Sequence, residues 1–125
     1  MLSDTEIESA KKRTKYSLKE APHHEHNDCI RIAYEWLDAQ VKTKGPIKKA
    51  YALKHIIEKW GGRYVSRSDV DVAAELHPDI YGTYPYFNIS SRLTNPSQKR
   101  LDGIAQAFTQ NYSEQSSSVT YKRDE

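Results

Sequence analysis

His23, His24, His26 and Cys29 bring four potential metal ligands into seven residues, with Glu25 among them. Imidazole and thiolate suit zinc, so zinc binding is the first chemistry the sequence raises. The spacing matches no standard site, and a closed tetrahedral centre usually draws a second ligand pair from elsewhere. His55 and His77 are the other histidines, and neither has a second histidine or cysteine three or four residues on. The plainer reading is a polar linker entering a helix, with no metal and no other cofactor.

Cys29 falls in the first turn of that helix, where the dipole favours a thiolate. A nucleophile also needs a base and an oxyanion site, and no motif supplies them. A small buried or half-buried hydrophobe is the expected role. Asp69, Asp71 and Glu75 form an acidic cluster. It lacks a strand-borne acid pair with a following lysine, and Ser66 with Asp69 has capping-box spacing instead. A solvated helix face is the expected role of that cluster. With no glycine-rich phosphate loop and no Ser/His/Asp arrangement, the sequence points away from an enzyme.

Two segments carry binding chemistry instead. Tyr81, Tyr84, Tyr86 and Phe87 place four aromatic rings in seven residues. Aromatic rings give large contact area at low entropic cost, which suits a protein interface or base stacking. The same rings could fold back on the core as a lid. Beyond them, Asn88, Ser91, Arg92 and Asn95 surround Ile89 and Leu93. Asn and Arg pair bidentately with adenine and guanine edges, and Ser can hold phosphate. Lys99, Arg100, Arg63 and Arg67 could add phosphate contacts.

The elements that must position these groups are mostly helical. Asn27 or Asp28 caps a helix to about residue 43, with Ile30, Ala33, Tyr34, Leu37 and Val41 on one stripe. Gly45-Pro46 opens a second helix carrying Ile47, Ala50, Leu53, Ile57 and Trp60, which ends at Gly61-Gly62. Ser66 opens a third, closed by Pro78. Residues 79–87 read as a loop. Asn88 caps a short helix, and Asn95-Pro96-Ser97 opens the last, with Leu101, Ile104, Ala105 and Phe108 on its face. The expected fold is therefore all-α, a bundle of about five helices.

At 125 residues the chain fits one domain. Charged residues reach 29%, and the excess polarity sits at the two ends. Residues 1–26 read as a polar arm, either disordered or a short helix capped by Ser3 and Glu6. Residues 27–109 form the helical domain, and 110–125 a disordered tail. The formal charge of +2 neither demands nor excludes nucleic acid, since only clustering on one face matters. No secretory signal or membrane-length apolar run is visible. One cysteine excludes an internal disulfide, and a reducing cytoplasm is the natural compartment.

Residues 66–108 resemble the helix-turn-helix domains of phage-repressor-like regulators. The likeness runs through the helix of Asp69 to Leu76 with paired Ala73 and Ala74, and the short helix around Ile89 to Leu93 in the recognition position. It ends with Asn95-Pro96-Ser97 leading to Leu101, Ile104, Ala105 and Phe108. The helix ending at Trp60 and the link at Tyr64-Val65 also suit a winged-helix layout. The resemblance implies a helix-turn-helix-like core with residues 88–94 in the major groove. The chain departs from it in one respect, a turn from Pro78 to Phe87 where those domains use three or four residues.

Two functions follow as expectations. The first is a non-enzymatic protein binding double-stranded DNA, a transcriptional regulator or accessory factor of bacterial or phage type, with the arms or first two helices supporting a homodimer. The alternative is a protein-binding adaptor or inhibitor acting through the aromatic loop 81–87.

Overall fold

Two capping boxes fix the first and last helices. Ser3 accepts the Glu6 N–H while the Glu6 carboxylate accepts the Ser3 N–H, opening α1 (Asp4–Arg13). Ser66 and Asp69 do the same for the helix Arg67–Leu76. The computed structural model describes residues 1–116 and 119–125. In it α2 spans Asn27–Asp38, α3 spans Leu53–Gly61 and α4 is that Arg67–Leu76 helix.

Among the described residues four α-helices and two small sheets result, so the expected all-α bundle of five helices is not formed. α2 stops at Asp38 rather than near residue 43, leaving Val41 exposed. Residues 46–52 are not helical, because their backbone is claimed from a distance. The Thr43 N–H donates to Asn88 O at 2.9 Å, Ile47 N–H to Phe87 O at 2.8 Å and Ser90 N–H to Val41 O at 2.8 Å. Lys42 and Ile89 pair as a single antiparallel bridge. The expected helix over 88–94 is absent for the same reason. Those carbonyls and amides already serve the facing segment.

The expected loop instead holds an antiparallel hairpin, β1 (Gly82–Thr83) with β2 (Tyr86–Phe87), turning through a cis Tyr84-Pro85 bond. The expected last helix shrinks to one 3₁₀ turn, Gln98–Leu101, which Ser97 caps by accepting the Lys99 N–H. Gly103 and Phe108 then take left-handed backbone angles that no continuing helix allows. The tail is not disordered where it is described. Its β4 (Arg123–Asp124) pairs in parallel with β3 (Thr94–Asn95), and the Tyr121 hydroxyl accepts the Trp36 Nε1–H at 3.1 Å.

The core lies chiefly between α2 and α4, with α3 against α2 and α1 across both. Trp36, Ile32, Leu37, Ile57, Val70 and Ala73 are buried there, and Ile7 and Ala10 seat α1 on it. Close packing reaches Gly61, where an added Cβ would come within 2.5 Å of Ile32 Cγ2. Gly62 follows in the left-handed conformation that ends α3.

Candidate functional site

Between Asp38 and Glu58 the chain carries five lysines and no acid. Because residues 42–51 lie along 87–91 instead of coiling, these lysines are not spread around a helix. Ile47 is buried as the anchor, and the Tyr51 hydroxyl donates to Ser91 O at 2.8 Å. Lys44, Lys48 and Lys49 are exposed on one segment, and Arg92 on the other. A shallow trough between the segments is lined by Lys48, Lys49, Thr43, Ser90 and Ser91. Among the described residues no carboxylate lies within ion-pair distance of Lys44, Lys48, Lys49 or Arg92. The Lys49 ammonium sits 4.7 Å above the Tyr51 ring, which keeps the cation facing outward on an aromatic platform. Lys42 and Lys54 are committed elsewhere. Lys42 donates to Asp38 O and its burial lowers its pKa, while Lys54 pairs with Glu58 at 3.2 Å.

Of the eight residues expected to meet DNA, Ser91 lines this trough and Arg92 is exposed next to it in sequence. Lys99 is exposed on the 3₁₀ turn. The others are tied up within the fold. Asn88 is 2% exposed. Its amide oxygen accepts the Tyr81 N–H at 2.7 Å and its nitrogen donates to Asp79 O at 2.9 Å. Arg63 is buried, donating to Glu25 at 2.8 Å and Gln106 at 3.0 Å. Arg67 donates to Ser17 Oγ at 2.9 Å and stacks on Tyr84 at 4.7 Å. Asn95 lies in β3, its amide 3.4 Å from Asp124.

Arg100 is the centre of an ion network. It donates to Glu35 at 3.0 Å, to Asp38 at 2.8 Å and through Nε to Glu125 at 2.7 Å. Hydrogen bonds from Arg100 hold the Glu125 carboxyl below its ordinary range. Burial opposes ionisation of Asp38, but hydrogen bonds from Arg100 and His77 outweigh it and lower its pKa too.

The aromatic segment divides. Tyr84 and Phe87 are buried in edge contact, ring centres 6.2 Å apart, while Tyr81 and Tyr86 remain 53% and 45% exposed. Two of the four rings fold back on the core and two stay at the surface. The Tyr84 hydroxyl accepts the Lys54 N–H at 3.0 Å, tying the hairpin to the start of α3. An open groove of about 390 Å³ runs between the hairpin, the outer face of α4 and residues 13–15. Asp71 lines it while being only 8% exposed, and burial raises its pKa.

The histidine cluster does not converge. His24 Nδ1 lies 2.7 Å from Asp69, His26 Nδ1 accepts the Asp28 N–H to cap α2, and His23 lies beside Glu25. His77 meets Asp38 at 2.8 Å and His55 meets Glu58 at 3.1 Å. Burial pushes the Cys29 thiol up to about 12. Among the described residues no group of three His, Cys, Asp or Glu side chains is placed to hold a metal ion. Asp69 and Asp71 are buried rather than solvated, Asp69 accepting the Ser66 N–H in the α4 capping box.

No family model matches this chain, and no curated protein or solved structure does either. Function must therefore be read from the surface itself. Among the described residues no helix is long and apolar enough to cross a membrane. The basic face was visible in the sequence as an acid-free run from residue 39 to 57. Its placement against residues 87–91 was not, since those hydrogen bonds join positions 40 or more apart.

Proposed function

We propose that this protein binds the phosphate backbone of double-stranded DNA through the face formed by residues 42–51 and 90–92. The observation that carries this reading is a run of exposed lysines, Lys44, Lys48 and Lys49, on a segment hydrogen-bonded to residues 87–90, with Ser90 and Ser91 across the trough, exposed Arg92 next in sequence, and no carboxylate within ion-pair distance of these cations among the described residues. Unpaired surface cations are the source of sequence-independent DNA affinity. Ser90, Ser91 and Thr43 add hydroxyl and backbone donors suited to phosphate oxygens. No helix stands at 88–94 to enter a major groove, so the reading favours a non-enzymatic accessory factor over a sequence-reading regulator. The lone buried Cys29 suits a reducing cytoplasm.

Replacing Lys44, Lys48 and Lys49 together by Gln tests the assignment, with a fluorescent duplex as probe. Binding should weaken alike on unrelated sequences, while the same change at Lys12, Lys15 and Lys19 should do little. Equal loss from both sets would remove the special standing of this face.

A second reading, protein capture at the hairpin, is favoured by the exposed rings of Tyr81 and Tyr86 beside an open groove. Tyr86→Ala should then abolish capture without altering DNA affinity.

A further inference from the structure

The groove beside the hairpin has an apolar floor of Ala74, Ile80, Tyr84 and Phe87, all buried or nearly so. One charged group breaks that floor. Asp71 Oδ2 accepts both the N–H and the hydroxyl of Ser17, each at 2.8 Å. Asp71 Oδ1 accepts no hydrogen bond from any described residue, and it is not sealed away from solvent. Arg67 spends its Nε on Ser17 and its face on Tyr84 and forms no ion pair with Asp71, although its charge still acts on that carboxylate. A desolvated carboxylate with an unused oxygen beside aromatic rings is complementary to a cation on an apolar stem.

One wall of the groove is β1, whose only strand partner among the described residues is β2. Gly82 and Thr83 are exposed and carry no further strand among the described residues, and an unpaired strand edge is where an extended peptide docks by backbone pairing. At the rim Glu75 faces Arg13 at 3.3 Å, an exposed pair, and Lys15 lines the same groove with no carboxylate within ion-pair distance among the described residues.

We propose that this groove holds an extended peptide segment of a protein partner, laid along the open edge of β1, with a lysine or arginine side chain on Asp71. The proposal rests on the hairpin reading above and is independent of DNA binding. The stem of the basic residue lies against Tyr84 and Phe87, and its head donates to Oδ1.

The test uses the whole protein and the blocked peptide acetyl-Val-Thr-Lys-Thr-Val-amide, followed by amide chemical shifts. The norleucine peptide lacks only the charge, an N-methylated peptide lacks strand donors, and hexylamine lacks the backbone. The lysine peptide should bind at least about tenfold tighter than the norleucine peptide, as a charge-assisted hydrogen bond provides. Asp71→Asn, checked for an unchanged circular dichroism spectrum, should erase that difference, and N-methylation should weaken binding. Shifts should fall on residues 71–75 and 81–87. Equal affinity of lysine and norleucine peptides would overturn the charge assignment while leaving the hairpin as a protein surface. Hexylamine binding as well as the lysine peptide would overturn the strand pairing, and no binding by any probe would overturn the site. The peptide comparison on the unaltered protein decides even where Asp71→Asn fails to fold.

Discussion

Replacing Arg100 by Met removes a guanidinium while keeping the apolar stem, and it separates structure from DNA contact at one residue. Arg100 is 20% exposed and joins Glu35 and Asp38 of α2 to Glu125 of the tail. Without it three carboxylates are left facing one another. Charged hydrogen bonds are worth about 1.5–3 kcal/mol each when buried, but exposed pairs only about 0.2–1 kcal/mol. Asp38 is 42% exposed and Glu35 and Glu125 each 28%, so solvent screening discounts the sum. A net loss of about 2 kcal/mol is expected, or roughly 6–10 °C in Tm for a chain of this size.

The sign of the pH dependence follows from the carboxyls. Glu125 and Asp38 have folded-state pKa values below their ordinary ones. Their stabilisation is therefore present above the ordinary carboxylate range and lost as pH falls through the depressed values. The Tm gap between wild type and Arg100→Met should be widest at neutral pH and narrow toward about pH 3. Thermal melts followed by circular dichroism measure it, with duplex affinity measured in parallel below both transitions. Unchanged stability together with weaker DNA binding and a salt slope reduced by about 0.9 would refute the reasoning, placing Arg100 on phosphate instead.

Two further outcomes follow from the core. Gly61→Ala should destabilise the protein by about 1–3 kcal/mol, because a Cβ 2.5 Å from the buried Ile32 methyl cannot be relieved by a flexible chain end; a rise in urea midpoint from better helix propensity would contradict this packing. Cys29 is fully buried with its thiol pushed up to about 12, so Ellman's reagent at pH 8 should react only at the rate of opening. Reaction in the folded protein at the speed of an exposed thiol would mean that the start of α2 is open.

What was legible in the sequence was local. Ser3 with Glu6 and Ser66 with Asp69 are capping boxes that need only four residues, and both formed. Pro78 and Gly61-Gly62 end helices by backbone chemistry alone, and the stripe Ile30, Ala33 and Leu37 was buried as its spacing required. The failures share a cause. Residues 41–47 and 87–90 satisfy each other's backbone groups across forty or more positions, and no periodicity records that. Asn88 looked like a cap because an Asn amide pairs with any nearby backbone; its actual partners are Tyr81 and Asp79. Arg100 and Arg63 looked like phosphate contacts because their carboxylate partners lie 25 to 65 residues away. At the candidate site the signal was a run of lysines without acids, which a helical reading scattered around an axis and the actual path lays along residues 87–91.

The most direct measurement is the affinity for a fluorescent 20-base-pair duplex, by anisotropy, between 50 and 200 mM salt. Four phosphate contacts give a slope of about −3.6 in log affinity against log salt, a loss of roughly 150-fold over that range. The same slope should appear on an unrelated duplex, and Lys44→Gln, Lys48→Gln and Lys49→Gln together should bring it close to −1. Absence of binding at 50 mM salt, or a slope untouched by those substitutions, would contradict DNA binding at this face.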